Sequence, residues 1–124
     1  MVDNADPNAA VLNLEATLAR FGGDEELLGE MAAILLDDAP HVMHDLKGAV
    51  KRRDATAIRG KAHALKGLIL GCGGERAGHS AQLLEDAGHR NELKLVDTQI
   101  ISLEHDLNQF LDALRARISN RVTA

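Results

Sequence analysis

The stretch from Asp54 to Cys72, DATAIRGKAHALKGLILGC, carries apolar side chains at intervals of three and four residues. This spacing places them on one face of an α-helix. The apolar positions are Ala55, Ile58, Ala62, Leu65, Ile69 and Cys72. Asp54 suits the N-cap position, and Gly73-Gly74 ends the pattern. The stretch therefore predicts an amphipathic helix with one buried face.

Helical patterns also precede this stretch. Asn13 is placed to cap a short helix that Gly22-Gly23 stops. Asp24 is placed to cap a second helix that ends near Asp38-Ala39, and Pro40 suits the first turn of a third. The side chains expected to face inward are Leu14, Leu18 and Phe21 in the first of these helices, Leu27, Met31, Ile34 and Leu35 in the second, and Met43, Leu46 and Val50 in the third.

After Gly74 the pattern predicts a helix from Glu75 that ends between Gly88 and Asn91, followed by a last helix. The last helix has the most regular apolar spacing, with Ile100, Leu103, Leu107, Phe110, Leu114 and Ile118. No segment alternates apolar and polar residues as a strand does. The sequence therefore predicts an all-α protein, an antiparallel four-helix bundle with a short N-terminal helix. We expect residues 1–12 to form a flexible lead-in, residues 13–120 the bundle and residues 121–124 a tail.

The composition agrees with a single helical domain and excludes some functions. The chain has 124 residues, of which 45% are hydrophobic, with two Phe and neither Trp nor Tyr. That length suits one domain, and the scarcity of aromatic residues favours helix over sheet. The formal net charge is -5, and the sequence lacks the basic patch that binding to a phosphate backbone requires. Nucleic acid is therefore not expected as a partner.

Other features of the sequence concern the compartment. No run of apolar residues is long enough for a membrane span, and the first residues lack the pattern of a signal peptide. The single Cys72 has no partner for an internal disulfide, which agrees with a reducing compartment, and its place in the apolar stripe predicts a core thiol. We expect a cytoplasmic protein with no membrane partner.

His63 stands out because the apolar face of its helix is centred roughly 140° away from it. The residues on its own side are Arg59, Lys66, Gly67 and Leu70, with Gly60, Gly67 and Gly71 along one flank. A neutral imidazole is a nucleophile near neutral pH, and Lys66 and Arg59 could meet the roughly two negative charges of a phosphoryl group bound to it. Each interior glycine destabilises a helix by about 1 kcal/mol relative to Ala, so three on one stripe indicate that something approaches the backbone closely. This pattern suits a histidine that carries a phosphoryl group.

The source of that phosphoryl group is expected to be a protein rather than a nucleotide. The glycine-rich segment Gly71-Cys72-Gly73-Gly74 follows a helix and lacks the Lys-Ser/Thr of a phosphate-binding loop. The sequence therefore does not predict an ATP site.

A metal site is a weaker interpretation of other residues. His41 and His44 are three residues apart, and Asp86 and His89 form a similar pair. Neither pair is the repeated Glu-x-x-His arrangement of bundle metal sites, so we expect no bound metal.

The segment Ala62-His63-Ala64-Leu65-Lys66-Gly67, followed by Gly73 and later by Leu84-Glu85, resembles the signature of the histidine-containing phosphotransfer (HPt) domains of two-component phosphorelays. The segment FGGDEELL that starts at Phe21, the pair Ala39-Pro40 and residues 46–54 are similar to the lead-in of that family. The resemblance covers roughly residues 13–114. Two features depart from it: Leu68-Ile69-Leu70 stands where small or hydroxyl residues are common, and Gly71 is an additional glycine.

The resemblance implies a four-helix bundle in which His63 accepts a phosphoryl group on Nε2 from a receiver-domain aspartate and passes it to another receiver. It implies that Lys66 steadies the phosphate charge and that Gly67 leaves room for the receiver. Leu70 and Arg59 are candidate docking residues on the same face. The implied protein is a phosphocarrier rather than an enzyme, without a cofactor of its own, because the Mg²⁺ belongs to the receiver. The implied partners are response-regulator receiver domains and a hybrid sensor histidine kinase, with the carrier acting as a monomer.

Plainer interpretations of these residues stay open at this point. His63, Lys66 and Arg59 could belong to an ordinary solvated surface, and Leu70 could be a single exposed apolar residue. Gly60 and Gly71 could permit close packing between helices. The alternative function is a helical adaptor that binds a receiver or kinase partner without carrying phosphate.

Overall fold

The computed structural model describes the backbone of residues 10–123 and the side chains of residues 10–118. This part of the chain contains helices and no strand. The helices are α1 (Leu14–Arg20), α2 (Glu25–Lys51), α3 (Ala55–Gly71), α4 (Glu75–Arg90) and α5 (Val96–Thr123). Neighbouring helices pack in a ring in which α3 contacts α2 and α4, and α5 contacts α4 and α2. Short connections make consecutive helices antiparallel, so the predicted four-helix bundle with a short N-terminal helix is confirmed.

Side-chain caps fix the starts of three helices as predicted. The side-chain oxygen of Asn13 accepts a hydrogen bond from Ala16 N at 3.2 Å. Asp24 accepts from Leu27 N at 3.0 Å, and Asp54 accepts from Ala57 N at 3.1 Å. Each bond satisfies a backbone donor that the first turn of a helix leaves without an intrahelical partner.

The prediction of separate helices before and after Pro40 is wrong. α2 runs without interruption from Glu25 to Lys51, with Pro40 exposed in its interior. A proline inside a helix costs about 3 kcal/mol relative to Ala, because it removes a hydrogen bond and crowds the preceding turn. Here Ala39 and Met43, on either side of Pro40, are both buried in the core, and this packing holds the helix together.

The predicted inward face of the first half of α2 is also wrong in part. Leu27, Met31 and Ile34 are exposed by 39%, 37% and 49%. The buried stripe is the neighbouring one and contains Leu28, Ala32, Leu35, Ala39, Met43, Leu46, Ala49 and Val50. Both stripes have helical spacing, and only the positions of α3 and α5 decide which of them faces the core.

The core predictions for α3 and α5 are confirmed in most positions, whereas Ala55 and the α1 residues Leu14, Leu18 and Phe21 are only half-buried. Ile58, Ala62, Leu65, Ile69 and Cys72 on and after α3 are buried. In α5, the buried set includes Leu103, Leu107, Phe110 and Leu114, and Ile100 and Ile118 pack partly buried against it. Burial raises the pKa of the Cys72 thiol, which keeps it protonated and unreactive at neutral pH.

The predicted lead-in and tail fall largely at the edges of the described chain. Residues 1–9 and Ala124 lie outside the described residues. Ala10 is joined to α4 by a hydrogen bond from Arg76 N to its carbonyl oxygen at 2.9 Å, and Val11 and Leu12 pack partly buried against the core. The backbone of α5 continues to Thr123.

No helix in the described part of the chain is both long enough and apolar enough to cross a membrane.

Candidate functional site around His63

His63 lies in the middle of α3, on the side that faces away from the bundle core. Its side chain is 70% exposed, whereas Ala62 and Leu65 next to it are fully buried. The helix start at Asp54 and the buried stripe of α3 together fix this orientation. The predicted exposure of the imidazole is therefore confirmed.

A carboxylate from α4 joins His63 to Lys66. Glu85 Oε2 lies 3.2 Å from His63 Nδ1, and Glu85 Oε1 lies 2.7 Å from Lys66 Nζ. The Lys66 and Glu85 side chains are only 18% and 17% exposed, so this ion pair is partly shielded from solvent. A single anion thus orients both the imidazole and the ammonium that the sequence singled out.

Glu85 is ionised in this arrangement. Its partial burial alone would raise its pKa, but hydrogen bonds from Lys66 and His63, together with their charges, outweigh that effect and hold the pKa of Glu85 below its usual range. An ionised carboxylate can only accept hydrogen bonds. His63 Nδ1 is therefore the donor in the hydrogen bond to Glu85, and whenever the imidazole is neutral its lone pair lies on Nε2.

Lys66 has a second acceptor on α4. Its Nζ donates to Gln82 Oε1 at 2.9 Å, and Gln82 Nε2 donates to Asp86 Oδ1 at 2.8 Å. Gln82 lies one turn before Glu85 and Asp86 on α4, and the three side chains form the polar flank of the site.

On the side of His63 opposite Glu85, the surface between α3 and α2 is apolar and forms an open groove. The groove is lined by α3 residues on one wall and α2 residues on the other. The groove residues, in addition to His63, are Met31, Ile34, Leu35, Ala64, Gly67, Leu68, Gly71 and Cys72. Their helical spacing predicts Met31 and Ile34 in the core, and their exposure on this wall depends on the packing of α2.

The glycines of α3 have open space above them. A Cβ atom added at Gly60, Gly67 or Gly71 would meet no atom within 4 Å, apart from the helix's own backbone. Close helix packing occurs instead at Gly88 of α4, where a Cβ would lie 2.7 Å from Ala55 O. The interpretation of Gly60 and Gly71 as packing residues is therefore not supported. All three glycines leave the surface of α3 near His63 without a protruding side chain.

Leu70 and Arg59, the two candidate docking residues, are both exposed. Leu70 is 38% exposed and its side chain lies over Gly78, where an added Cβ would come within 2.8 Å of Leu70 Cγ. The carbonyl oxygen of Leu70 accepts a hydrogen bond from Arg20 at 2.9 Å. Arg59 lies one turn before His63 and is not part of the Glu85 network.

The other histidines do not form a comparable site. His41 and His44 are exposed on α2, and Asp86 is engaged by Gln82. Within residues 10–118, no three His, Cys, Asp or Glu side chains lie close enough together to hold a metal ion.

The sequence alone predicts no role for Glu85 or Gln82. Glu85 was part of the quoted motif, after the buried Leu84, and this was the one signal that pointed to it. Its contact with His63 spans 22 residues of sequence and depends on the register of α4 against α3.

Comparison with known proteins identifies the fold and the family. The Hpt domain family matches residues 30–117. The structure is similar to histidine-containing phosphotransfer protein B (HptB) from Pseudomonas aeruginosa PAO1, with 21% identity, a TM-score of 0.82, and coverage of 91% of this chain and 98% of that one. It is also similar to the HPT domain of a sensor hybrid histidine kinase from Shewanella, with 23% identity, a TM-score of 0.78, and coverage of 89% and 95%. A search of curated protein sequences finds no significant match. Because the family match spans most of the chain, the chain belongs to the Hpt domain family and is a phosphorelay carrier of two-component signalling.

Proposed function

We propose that His63 is the phosphoacceptor and that its Nε2 atom attacks the phosphorus of a receiver's phosphoaspartate. The P–Nε2 bond forms as the acyl phosphate P–O bond breaks, and the aspartate carboxylate leaves with the electron pair. The observation that carries the proposal is an imidazole whose side chain is 70% exposed and whose Nδ1 atom lies 3.2 Å from Glu85 Oε2.

Glu85 supports this step in two ways. It holds the proton on Nδ1, so that Nε2 is the nucleophilic atom. Attack by a neutral imidazole also produces a positively charged phosphoimidazolium ring, and the Glu85 carboxylate lies 3.2 Å from the nitrogen that bears its proton. An anion in that position stabilises the charge as it develops.

Lys66 supplies the opposite charge for the phosphoryl oxygens. It lies one turn after His63 and is held beside it through Glu85. An ammonium so placed can meet the negative charge that the phosphoryl group brings to this side of the helix.

The low apolar flank suits the docking of a receiver domain. Met31, Ile34 and Gly67 form a surface on which a partner can bury apolar side chains while its reacting aspartate approaches His63. On the α4 side of α3, the exposed side chains of Leu70 and Arg59 would add an apolar contact and a cation for the same partner. The Mg²⁺ required for the aspartate chemistry would be bound by the receiver, and this chain would need no cofactor.

The remaining parts of the proposal concern the cellular setting. A phosphorylated receiver of a hybrid sensor kinase would supply the phosphoryl group, and a response regulator would receive it. The chain would act as a cytoplasmic monomer that completes no turnover alone and binds neither nucleic acid nor membrane. The single buried thiol of Cys72 agrees with a reducing compartment.

The test is phosphoryl transfer from a radiolabelled phosphorylated receiver. We expect acid-labile, alkali-stable label on the wild-type chain and none on the His63→Gln variant. His89→Gln, an exposed histidine outside the Glu85 network, is the matched control and should label normally. Label that persists after His63→Gln would overturn the assignment. Receiver binding that survives with no label on any variant would instead favour a phosphate-free adaptor.

A further inference from the structure

We propose that Gln82 and Asp86 are positioning residues that hold Lys66 ready beside His63, an inference that rests on the proposed function of this site. Both residues lie on α4 and neither contacts the imidazole. Their action on the transfer passes entirely through the Lys66 ammonium.

Lys66 is unusually restrained for a lysine on the outward side of a helix. Its side chain is only 18% exposed, and two acceptors from α4 contact its ammonium at 2.7 and 2.9 Å. A free lysine side chain samples many rotamers, and fixing it during a reaction slows that reaction. In this chain the side chain is fixed before the phosphoryl group arrives.

The two acceptors have different electrical effects. Glu85 is an anion shared between Lys66 and His63, so it offsets part of the ammonium's charge. Gln82 is a neutral amide, and it holds the ammonium without cancelling any more of that charge. Gln82 therefore adds a second restraint on the ammonium without adding a second negative charge in contact with it.

Asp86 determines which end of the Gln82 amide faces Lys66. The Gln82 NH₂ group donates to Asp86 Oδ1 at 2.8 Å, which turns the carbonyl oxygen toward Lys66. The reversed amide would place a donor against an ammonium and a carbonyl against a carboxylate, so both contacts would be lost. Asp86 thus acts on Lys66 through the Gln82 side chain.

The first test is a double-mutant cycle with potassium phosphoramidate, a donor that requires no partner protein. Its P–N bond breaks as the P–Nε2 bond forms, and ammonia leaves. We expect Gln82→Leu to slow phosphorylation of the wild-type chain by about fivefold and to have no effect in a Lys66→Ala background. Asp86→Ala should give a smaller slowing with the same dependence on Lys66. Gln109→Leu, the same substitution on an exposed part of α5, is the matched control.

Equal slowing by Gln82→Leu with and without Lys66, or no slowing at all, would overturn the positioning role. The His63→Gln variant separates this failure from failure of the proposed function, because its phosphorylation would reveal a different acceptor.

The second test uses the unphosphorylated chain and does not depend on transfer. Nitrogen-15 relaxation of the Lys66 ammonium should show a restrained group in the wild type and faster motion in Gln82→Leu and Asp86→Ala. An ammonium equally mobile in all three would contradict the inference, whatever the outcome of the labelling experiments.

Discussion

Glu85 contacts both His63 and Lys66, and it is the residue that connects the imidazole to the ammonium in this site. Its two oxygens contact His63 Nδ1 and Lys66 Nζ separately, so each partner has its own acceptor. The geometry predicts that the pKa of Glu85 lies below the ordinary glutamate value, because both partners favour the charged form.

The ionisation of Glu85 can be measured directly. A carboxyl group with a lowered folded-state pKa contributes stability above its unfolded pKa, and that contribution is lost as the pH falls through the folded pKa. We expect carbon-13 NMR of the Glu85 carboxyl to titrate below the ordinary glutamate value of about 4.3. The Lys66→Ala variant should shift this midpoint upward. A midpoint at the ordinary value in the wild type would mean that the ion pair does not form in solution.

Gly67 provides a second prediction for a single residue. Because a Cβ there meets nothing within 4 Å, Gly67→Ala should raise the free energy of unfolding by about 0.5–1 kcal/mol through helix propensity. The added methyl group nevertheless occupies the surface beside His63. We expect receiver binding, measured by calorimetry, to weaken by about tenfold. Unchanged binding would show that the receiver does not approach this part of α3.

The sequence predicted some of these residues and not others, for a physical reason. His63, Lys66 and Gly67 lie on one helix, where spacing alone determines which residues share a face. Glu85 and Gln82 reach the site from α4, and the distance across two helices depends on packing register that local spacing does not encode. The polar flank of the site was therefore visible only in the structure.

At the scale of elements, the turn between α3 and α4 is held by α1. Asn13 N donates to Gly73 O at 2.8 Å, and the Asn13 side chain donates to Glu75 Oε2 at 2.6 Å. Gly73 has a φ of +88°, and a Cβ there would lie 2.6 Å from Asn13 O and would also clash with Thr17 Oγ1. α1 precedes the family match at residues 30–117, yet it helps to fix the end of the helix that carries His63.

Gly73→Ala should therefore destabilise the fold. We expect the free energy of unfolding, measured by urea denaturation, to fall by about 2–4 kcal/mol, because the substitution combines left-handed backbone strain with a backbone clash. Gly60→Ala is the matched control: it has open space and a helical backbone, and should be neutral or stabilising. Equal stability of the two variants would contradict the tight contact between α1 and this turn.

α2 illustrates what an amphipathic pattern leaves undecided. Its stripe at Leu27, Met31 and Ile34 has the same spacing as the buried stripe beside it, and the predicted burial of the first stripe is wrong. The exposed stripe lies beside the groove at His63, so an apparent core pattern is a candidate docking surface. The helix boundary predicted at Pro40 is wrong for a similar reason, because tertiary packing outweighs the free-energy cost of a proline inside a helix.

The proposed docking role of α2 predicts a difference between two exposed isoleucines. Ile34, 49% exposed, lines the groove, whereas Ile101, 68% exposed, lies on α5 across the bundle from α3. Ile34→Ser should weaken receiver binding by about tenfold, because the substitution removes apolar surface that would otherwise be buried in the complex. Ile101→Ser should leave binding unchanged, and neither variant should unfold. Equal effects of the two substitutions would place the receiver elsewhere.

At the scale of the whole molecule, packing places one cation, Lys66, close to His63 in a chain of net negative charge. The net charge is -5, with 19 acidic and 14 basic residues. Glu85 nevertheless holds the ammonium of Lys66 beside the His63 imidazole. The ring of four helices supplies this arrangement, because α3 carries His63 and Lys66, α4 supplies their acceptors, and α2 supplies the apolar wall. The length and composition predicted one helical bundle, and only the packing of its helices created the two unlike flanks of His63.

The most direct test of the central claim is to identify the atom that carries phosphorus. The chain, labelled with nitrogen-15 in its histidines, would be phosphorylated by a receiver or by phosphoramidate and studied by nitrogen and phosphorus NMR. We predict phosphorus on Nε2 of His63, a proton retained on Nδ1, and no phosphorus on any of the other five histidines in the total of six. Phosphorus on Nδ1 of His63, on another histidine, or on none would contradict the account.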